Sequence, residues 1–200
     1  MIAARSAGTE PVLLLTFHGT GGDEWQLHEA GRSLLPEAHV VSPRGEVSEG
    51  GALRFFRRRA EGVYDMDDLR ARTAAMAEFA AAEAARVGAA RVAAIGYSNG
   101  ANILASVLLS RPEVIDDAVL MHPLIPWEPA PADLGGRRVL VTAGRRDPIG
   151  PAPVTQRLID ALSRMGADVE AVWHEGGHEA QPQEWAAAER FLRGPRSAIR

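Results

Sequence analysis

The pentapeptide Gly96-Tyr97-Ser98-Asn99-Gly100 is the feature that most constrains the fold of this chain. It fits the pattern G-x-S-x-G, in which a serine stands on a sharp turn between a strand and a helix. An apolar stretch, 92–95, leads into it, and a stretch with helical character, 101–109, follows it. The glycines on either side suit a strained turn with little room for side chains. The sequence therefore predicts a corner that lifts the Ser98 hydroxyl above a sheet edge.

Strand and helix signals alternate along the rest of the chain. The predicted strands are short, apolar and typical of strands buried on both faces; they cover 11–17, 38–42, 91–96, 117–122, 137–143 and 168–174. The predicted helices lie between them, at 24–35, 66–87, 99–110, 153–165 and 182–193. This alternation predicts an α/β fold, with a mostly parallel sheet and helices on both faces.

Composition narrows the classes of function. The chain has 200 residues, which suits a single domain over 1–200. Its net charge is −4, so no broad basic field attracts nucleic acid. It has no cysteine, which excludes disulfides, thiolate metal sites and cysteine nucleophiles. No apolar run is long enough for a signal peptide or a membrane span, and we therefore expect a cytoplasmic protein.

Candidate partners for Ser98 follow it in the chain. A serine hydroxyl is a weak nucleophile and needs a base, which a third group orients. Asp147 comes just after predicted strand 137–143, and His178 lies on a glycine-rich loop after predicted strand 168–174. The order Ser, Asp, His is the one found in α/β-hydrolases, and reactive groups collect at the carboxyl ends of parallel strands. Ser98, Asp147 and His178 are thus predicted to form a catalytic triad.

An oxyanion hole is predicted beside the serine. Predicted strand 11–17 leads into the glycine-rich segment 18–23, where the backbone can approach a developing anion. The expected donors are the backbone N–H groups of Thr20 and Asn99. His18 is expected to hold this loop through a side-chain hydrogen bond. His122, which follows another strand, is expected to be structural, with a place in the lining of the cleft as the alternative.

Two long stretches, 43–65 and 123–136, carry no strand or helix signal that we recognise. Long loops in a compact domain are often lids or binding loops. They supply the candidate substrate-binding residues, which are Phe55, Phe56, Leu124 and Trp127. Arg54 and the arginines at 57–59 are expected to belong to a solvated loop with its two phenylalanines packed inward, and steering of an anionic substrate is the alternative.

These residues together resemble the phospholipase/carboxylesterase family of α/β-hydrolases. The resemblance runs over nearly the whole chain, from His18-Gly19 to the helix after His178. It implies an α/β-hydrolase fold without a large cap, and the triad and oxyanion donors named above. It also implies hydrolysis of small-molecule carboxylic esters with small or medium acyl groups, through an acyl-serine intermediate and without a cofactor or metal.

The resemblance leaves some choices open. Acyl-protein thioesterases of that family usually have Gln after the serine, where this chain has Asn99, and the segments 54–59 and 144–148 look more like the bacterial carboxylesterase branch. A thioesterase or lysophospholipase would use the same triad, and a non-catalytic ligand-binding relative is a further alternative. Dimers are common in the resembling family, so a homodimer is also open.

Two motifs point to other chemistry and are disfavoured. Residues 174–178 read H-E-G-G-H and satisfy the zinc-protease pattern H-E-x-x-H, which requires both histidines on one face of a helix. The two central glycines disfavour a helix, and 169–173 reads as a strand. Residues 19–22 resemble a dinucleotide-binding turn, but the third glycine of that pattern would fall at Glu24. We therefore expect neither a metal nor a nucleotide cofactor.

Overall fold

A computed structural model describes residues 1–195. The strands are β1 (Ala3–Ser6), β2 (Val12–Phe17), β3 (His39–Pro43), β4 (Val47–Glu49), β5 (Ala52–Arg54), β6 (Arg58–Ala60), β7 (Val63–Tyr64), β8 (Arg91–Tyr97), β9 (Asp117–Met121), β10 (Arg138–Gly144) and β11 (Asp168–His174). The helices are α1 (His28–Leu34), α2 (Met66–Val87), α3 (Asn99–Ser110), α4 (Ala152–Arg164) and α5 (Pro182–Arg193), with a short 3-10 turn at Pro112–Val114.

The central sheet of the described residues has seven strands in the order β1-β3-β2-β8-β9-β10-β11. β1 runs antiparallel to β3, and the other neighbouring strands are parallel. From β2 the chain builds outward in one direction to β3 and in the other through β8 to β11. Such a reversal opens a crevice at the carboxyl ends of the strands on either side of it. The crevice here lies between β2 and β8.

Both faces of the sheet are covered by helices because its strands are apolar on both sides. In β2, Leu13 and Leu15 pack into the core formed with α2, α3 and α4, whereas Leu14 packs into the core formed with α1 and α5. All three leucines are fully buried. The predicted α/β-hydrolase fold, with a mostly parallel sheet between two layers of helices, is confirmed.

The structure differs from the sequence-based expectation in three places. β1 was not predicted, because a four-residue edge strand of sequence AARS carries no apolar run. α1 begins at His28 rather than at 24, since the Asp23 side chain accepts the Trp25 N–H and holds a turn there. The predicted loop 43–65 contains two hairpins, β4–β5 and β6–β7.

No helix within residues 1–195 is long and apolar enough to cross a membrane.

Candidate active site

Ser98 stands on a strained turn between β8 and α3. Its backbone has φ 53° and ψ −116°, which is rare for a residue with a side chain. Gly96 and Gly100 make the turn sterically feasible: a Cβ on Gly96 would lie 2.4 Å from the Gly100 carbonyl oxygen, and a Cβ on Gly100 would lie 2.1 Å from that of Phe17. The Ser98 N–H donates to the Met121 carbonyl at 2.9 Å, which ties the turn to β9. The backbone thus fixes the position of the serine hydroxyl.

Ser98, His178 and Asp147 form a continuous chain of hydrogen bonds. His178 Nδ1 lies 2.7 Å from Asp147 Oδ2, and His178 Nε2 lies 2.8 Å from Ser98 Oγ. An ionised carboxylate can only accept, so Nδ1 carries the proton and Nε2 is left to accept from the serine. The second oxygen, Asp147 Oδ1, accepts the backbone N–H groups of Ile149 at 2.8 Å and Gly150 at 2.9 Å. The structure brings the three predicted residues together with the imidazole oriented as a base.

The electrostatic environment keeps Asp147 ionised. Its side chain is fully buried, which by itself would raise its pKa. Hydrogen bonds from the Gly150 N–H, His178 and His122 outweigh burial and hold the pKa of Asp147 below its ordinary value. Asp147 is therefore a carboxylate at neutral pH.

Tyr97 supports the loop that carries His178. Its hydroxyl donates to the His178 carbonyl oxygen at 2.7 Å, and the two ring centroids lie 5.6 Å apart. Burial raises the pKa of the Tyr97 phenol, so it remains a donor at neutral pH. Tyr97, at the first x of G-x-S-x-G, thus anchors the loop that carries His178.

The two predicted oxyanion residues are hydrogen-bonded to the last residue of β5 and to the residue that follows it. Asn99 Oδ1 accepts the Phe55 N–H at 2.8 Å, and Thr20 Oγ1 accepts from Arg54 Nη1 at 2.7 Å. Thr20 follows β2 and Asn99 is the first residue of α3, so the crevice between β2 and β8 places both beside Ser98. Neighbouring segments therefore restrain the residues whose N–H groups would face an oxyanion.

His18 holds the loop after β2 by side-chain hydrogen bonds, as expected. Its Nε2 accepts the Gly45 N–H at 2.8 Å, which leaves Nδ1 to donate to the Gly19 carbonyl at 2.7 Å. Burial lowers the pKa of His18, which agrees with this neutral tautomer. His18 therefore acts as a structural link between two loops.

A cleft of about 300 Å³ opens onto Ser98. Its walls include Ser98 and His178 together with Thr20, Arg54, Arg58, Glu61, Tyr64, Tyr97, Asn99, Asn102, His122, Leu124 and Ile149. Tyr64 braces one wall, because its hydroxyl donates to the Leu124 carbonyl at 2.9 Å and accepts from Asn102 Nδ2 at 2.9 Å. The cleft is small, and charged and polar side chains form much of it.

Of the four predicted substrate-binding residues, the structure places only Leu124 in the wall of this cleft. Phe55 and Phe56 are instead buried in the core, 3% and 0% exposed, because their aromatic rings pack on Phe17 and Tyr64. Trp127 lines a separate cavity near α4. Arg54 is not solvated as expected but is 2% exposed and lies in the cleft wall.

The residues of the zinc-protease pattern do not share a helix face. His174 ends β11, and 175–181 form a loop. His174 Nε2 faces Glu184 at 3.3 Å, whereas His178 Nε2 faces Ser98. The geometry that the zinc pattern needs is therefore not formed by residues 174–178.

Sequence reasoning missed the roles of Arg54, Tyr97 and His122. Each contacts a predicted site residue through its side chain. His122 offered one signal, since it directly follows β9 at the same sheet edge as Asp147 and His178. Arg54 gave none, because its burial depends on how the hairpins fold.

The fold and the juxtaposition of Ser98, His178 and Asp147 define an α/β-hydrolase. Comparison with known proteins agrees. Residues 56–185 match the sequence model of the Dienelactone hydrolase family. A curated protein of Bacillus subtilis (strain 168), named "Putative hydrolase MhqD", is 40% identical over 187 residues, which cover 89% of this chain and 94% of that protein.

Solved structures also resemble this chain in sequence and fold. The Bacillus cereus carboxylesterase is 38% identical, with a TM-score of 0.90 over 94% of this chain and 92% of that one. Protein Atu2452 of Agrobacterium tumefaciens strain C58, of unknown function, is 51% identical, with a TM-score of 0.91 over 94% of both chains. The chain belongs to the dienelactone hydrolase family and is a hydrolase of the dienelactone hydrolase and carboxylesterase type. The predicted resemblance to carboxylesterases is thereby confirmed.

Proposed function

We propose that this protein hydrolyses carboxylic esters through an acyl intermediate on Ser98. The observation that carries the proposal is the hydrogen-bond chain from Ser98 Oγ through His178 to Asp147, with links of 2.8 and 2.7 Å, at a strained turn. Serine becomes a useful nucleophile when a neutral imidazole can take its proton and a carboxylate can stabilise the imidazolium. This geometry supplies both.

Each step has a residue to perform it. His178 Nε2 takes the proton as Ser98 Oγ attacks the ester carbonyl, and then returns it to the leaving alcohol. Asp147 holds the imidazole in the required tautomer and offsets its positive charge. The backbone N–H groups of Thr20 and Asn99 receive the oxyanion. Water, deprotonated by His178, then releases the acid and restores the serine.

The cleft favours short acyl groups. Its volume of about 300 Å³ is at the lower end of the range for small-molecule sites. Arg54, Arg58 and Glu61 lie in its walls, and a long alkyl chain would have to desolvate these charges. We therefore propose small or medium acyl groups. Lactones are included among the substrates to test, because they are cyclic esters and the family is named after one.

Labelling and turnover test the proposal together. The protein is treated with a fluorophosphonate and its intact mass and modified peptide are determined, while hydrolysis of p-nitrophenyl acetate, butyrate and octanoate is followed. We expect one adduct, on Ser98, and a fall in turnover of about 10⁴–10⁶ in Ser98→Ala. Ser106→Ala, a buried serine of α3 without a role in the chain of hydrogen bonds, is the matched control. Near-normal turnover by Ser98→Ala would contradict the proposal.

Two alternative functions can be distinguished with the same purified protein. A thioesterase or lysophospholipase would show higher kcat/KM on thioesters or lysophospholipids than on simple esters when the rates are measured side by side. A ligand-binding relative would bind ester analogues equally well with or without Ser98 and would show no turnover in the wild type.

A further inference from the structure

His122 lies against both the catalytic carboxylate and a second buried carboxylate. Its Nδ1 is 3.1 Å from Asp147 Oδ2, on the same oxygen that His178 contacts. Its Nε2 is 3.0 Å from Glu184 Oε1 and 3.3 Å from Oε2. The side chains of His122, Asp147 and Glu184 are all 0% exposed. Water therefore cannot substitute for the contacts among these three groups.

The number of protons in this cluster follows from its geometry. A neutral imidazole carries one N–H, so one ring nitrogen of His122 would direct a lone pair at a carboxylate oxygen about 3 Å away. That arrangement is repulsive in a buried site, where unpaired polar groups are costly. With both nitrogens protonated, each donates to a carboxylate. Glu184 and Asp147 thereby outweigh the effect of burial and raise the pKa of His122 above its ordinary value.

The backbone of His122 is held in a conformation that few residues adopt. Its φ is +51°, and among the described non-glycine residues only Ser98 shares this sign. A left-handed conformation is unfavourable for a residue with a Cβ. The His122 N–H donates to the Thr142 carbonyl at 2.8 Å, which fixes the turn. The strain orients the ring between the two carboxylates, and strain of this kind is concentrated at functional sites.

Glu184 is well placed to keep the proton on His122. It is the third residue of α5, and its Oε2 accepts the Gln181 N–H at 2.6 Å, so the helix terminus holds the carboxylate in place. Burial by itself would raise the pKa of Glu184, but hydrogen bonds, chiefly from His122 and also from the Gln181 N–H, keep it below its ordinary value. A capping role alone accounts for the contact with Gln181 but not for the contact with His122.

A metal ion is a poorer explanation of the cluster. His122, His174 and Glu184 offer donor atoms within 4.8 Å of one another. However, His174 Nδ1 accepts the Gly176 N–H at 2.9 Å, so in its neutral form His174 carries its proton on Nε2, the nitrogen that faces Glu184. A histidine ligand normally donates from its second nitrogen and coordinates with the first. His174 has the opposite arrangement.

We propose that His122 is a positioning residue of the active site. It is a buried imidazolium, held by Glu184, that fixes the position of Asp147 Oδ2 and weakens the electrostatic attraction between Asp147 and a protonated His178. This inference rests on the proposed function, in which Asp147 orients His178. A cation beside Asp147 weakens the stabilisation of a second cation on His178, whose ring centroid is 5.2 Å from that of His122.

The other groups facing His122 are few. His178 follows β11 and His174 ends it, with ring centroids 5.2 and 5.4 Å from that of His122. Tyr97 of β8 has its ring centroid at 5.9 Å. Together with Asp147 and Glu184 they form a cluster with two carboxylates and one imidazolium, so the net charge is −1 before His178 takes the serine proton. It becomes zero when His178 is protonated.

Nitrogen NMR of the wild-type protein labelled with ¹⁵N-histidine tests the protonation directly. The His122 signals are assigned by their loss in His122→Gln. We expect both ring nitrogens of His122 to be protonated at pH 7, where an ordinary histidine is mostly neutral. An unprotonated His122 ring nitrogen at pH 7 would overturn the inference.

The pH profile of kcat/KM tests the functional consequence. The double variant His122→Gln/Glu184→Gln removes both charges while preserving hydrogen-bonding groups, which limits the risk of misfolding. We expect its acid limb to move upward by about one pH unit, because the nearer of the two removed charges is the cation. His28→Gln, a buried histidine bonded to Ser6 and Ser42, is the matched control and should leave the limb in place. If the double variant has a lower kcat but the acid limb of its pH profile stays in place, His122 has only a packing role and the inference is overturned.

Failure of this inference is distinguishable from failure of the proposed function. Absence of a fluorophosphonate adduct on Ser98 would contradict the esterase mechanism. The protonation of His122 is read from nitrogen spectra and does not depend on turnover. An adduct on Ser98 together with a neutral His122 would overturn the inference and leave the proposed function standing.

Discussion

Arg54 Nη1 donates to Thr20 Oγ1 at 2.7 Å, and this bond joins the end of the β4–β5 hairpin to the loop that carries a proposed oxyanion donor. The guanidinium is buried, and its Nε also donates to the Phe56 carbonyl at 3.3 Å. The next residue, Phe55, is bonded to Asn99. One short segment therefore holds both proposed donors, and the long loop expected from the sequence is a support for the site rather than a free lid.

Replacement of Arg54 should slow catalysis more than it weakens binding. Arg54→Met keeps the unbranched apolar stem of the side chain and removes the hydrogen bond to Thr20, so we expect kcat to fall about tenfold or more with a smaller change in KM. Steady-state kinetics on p-nitrophenyl butyrate, with thermal unfolding as a check of fold, measure this. Arg59→Met changes the charge equally on an exposed residue and is the control. Equal effects of the two substitutions would contradict the role of Arg54.

Gly100→Ala should disrupt the turn under Ser98. The added Cβ would lie 2.1 Å from the Phe17 carbonyl oxygen, where backbone must move to accommodate it. We expect the free energy of unfolding to fall by about 3 kcal/mol or more, measured by urea denaturation. Gly50→Ala is the comparison, because no atom lies within 4 Å of its Cβ position and only its φ of +58° is unfavourable. Its cost should be about 1–2 kcal/mol.

The ion pairs of Asp117 predict a stability that depends on pH. Asp117 is fully buried and accepts from Arg91 Nε at 2.6 Å and Arg138 Nε at 2.9 Å. Burial alone would raise its pKa, but the two arginines lower it below the ordinary value. Because the folded pKa is the lower one, the stabilisation is present above about pH 4 and is lost as pH falls through the folded pKa.

Asp117→Asn should therefore destabilise the protein at pH 7 by about 3–5 kcal/mol and lose this effect in acid. Urea denaturation of wild type and variant between pH 7 and pH 3 measures the difference in the free energy of unfolding. Asp67→Asn, in an exposed pair with Arg70, should change stability little at any pH. A difference between wild type and Asp117→Asn that stays constant with pH would refute the assignment.

The size of the cleft predicts the preference for acyl chain length. Acetate and butyrate esters should be hydrolysed faster than octanoate esters, as judged by kcat/KM. Leu124→Ala removes a side chain from the wall and should raise the octanoate-to-butyrate ratio about tenfold. Ile125→Ala shortens the neighbouring residue, which lines a different cavity, and should leave the ratio unchanged. A ratio insensitive to Leu124 would place the acyl group elsewhere.

The sequence predicted the elements whose burial follows from their own residues. β2, β8 and β10 are continuous apolar runs, and such runs identify strands covered on both faces. Asp147 and His178 were predicted as site residues because each follows a predicted strand, β10 and β11 respectively, and the ends of parallel strands meet at one edge. The structure indeed brings both residues to Ser98.

Other features could not be read from the chain because they depend on distant residues. β1 becomes a strand only by pairing with β3, and its own sequence has no apolar run. Phe55 and Phe56 were candidates both for substrate binding and for inward packing, and only the folding of the hairpins decides for the core. His122 and Glu184 are 62 residues apart in sequence, and only the docking of α5 on the sheet makes them neighbours.

The bond from the Tyr97 hydroxyl to the His178 carbonyl ties the proposed nucleophile and the proposed base to the same strand. Tyr97 is the last residue of β8 and Ser98 is the next residue along, so one central strand determines the position of both. Changes that accumulate in outer loops during divergence can reshape the cleft without separating the reacting pair. Such an arrangement lets a small enzyme acquire new substrates while its chemistry is inherited unchanged.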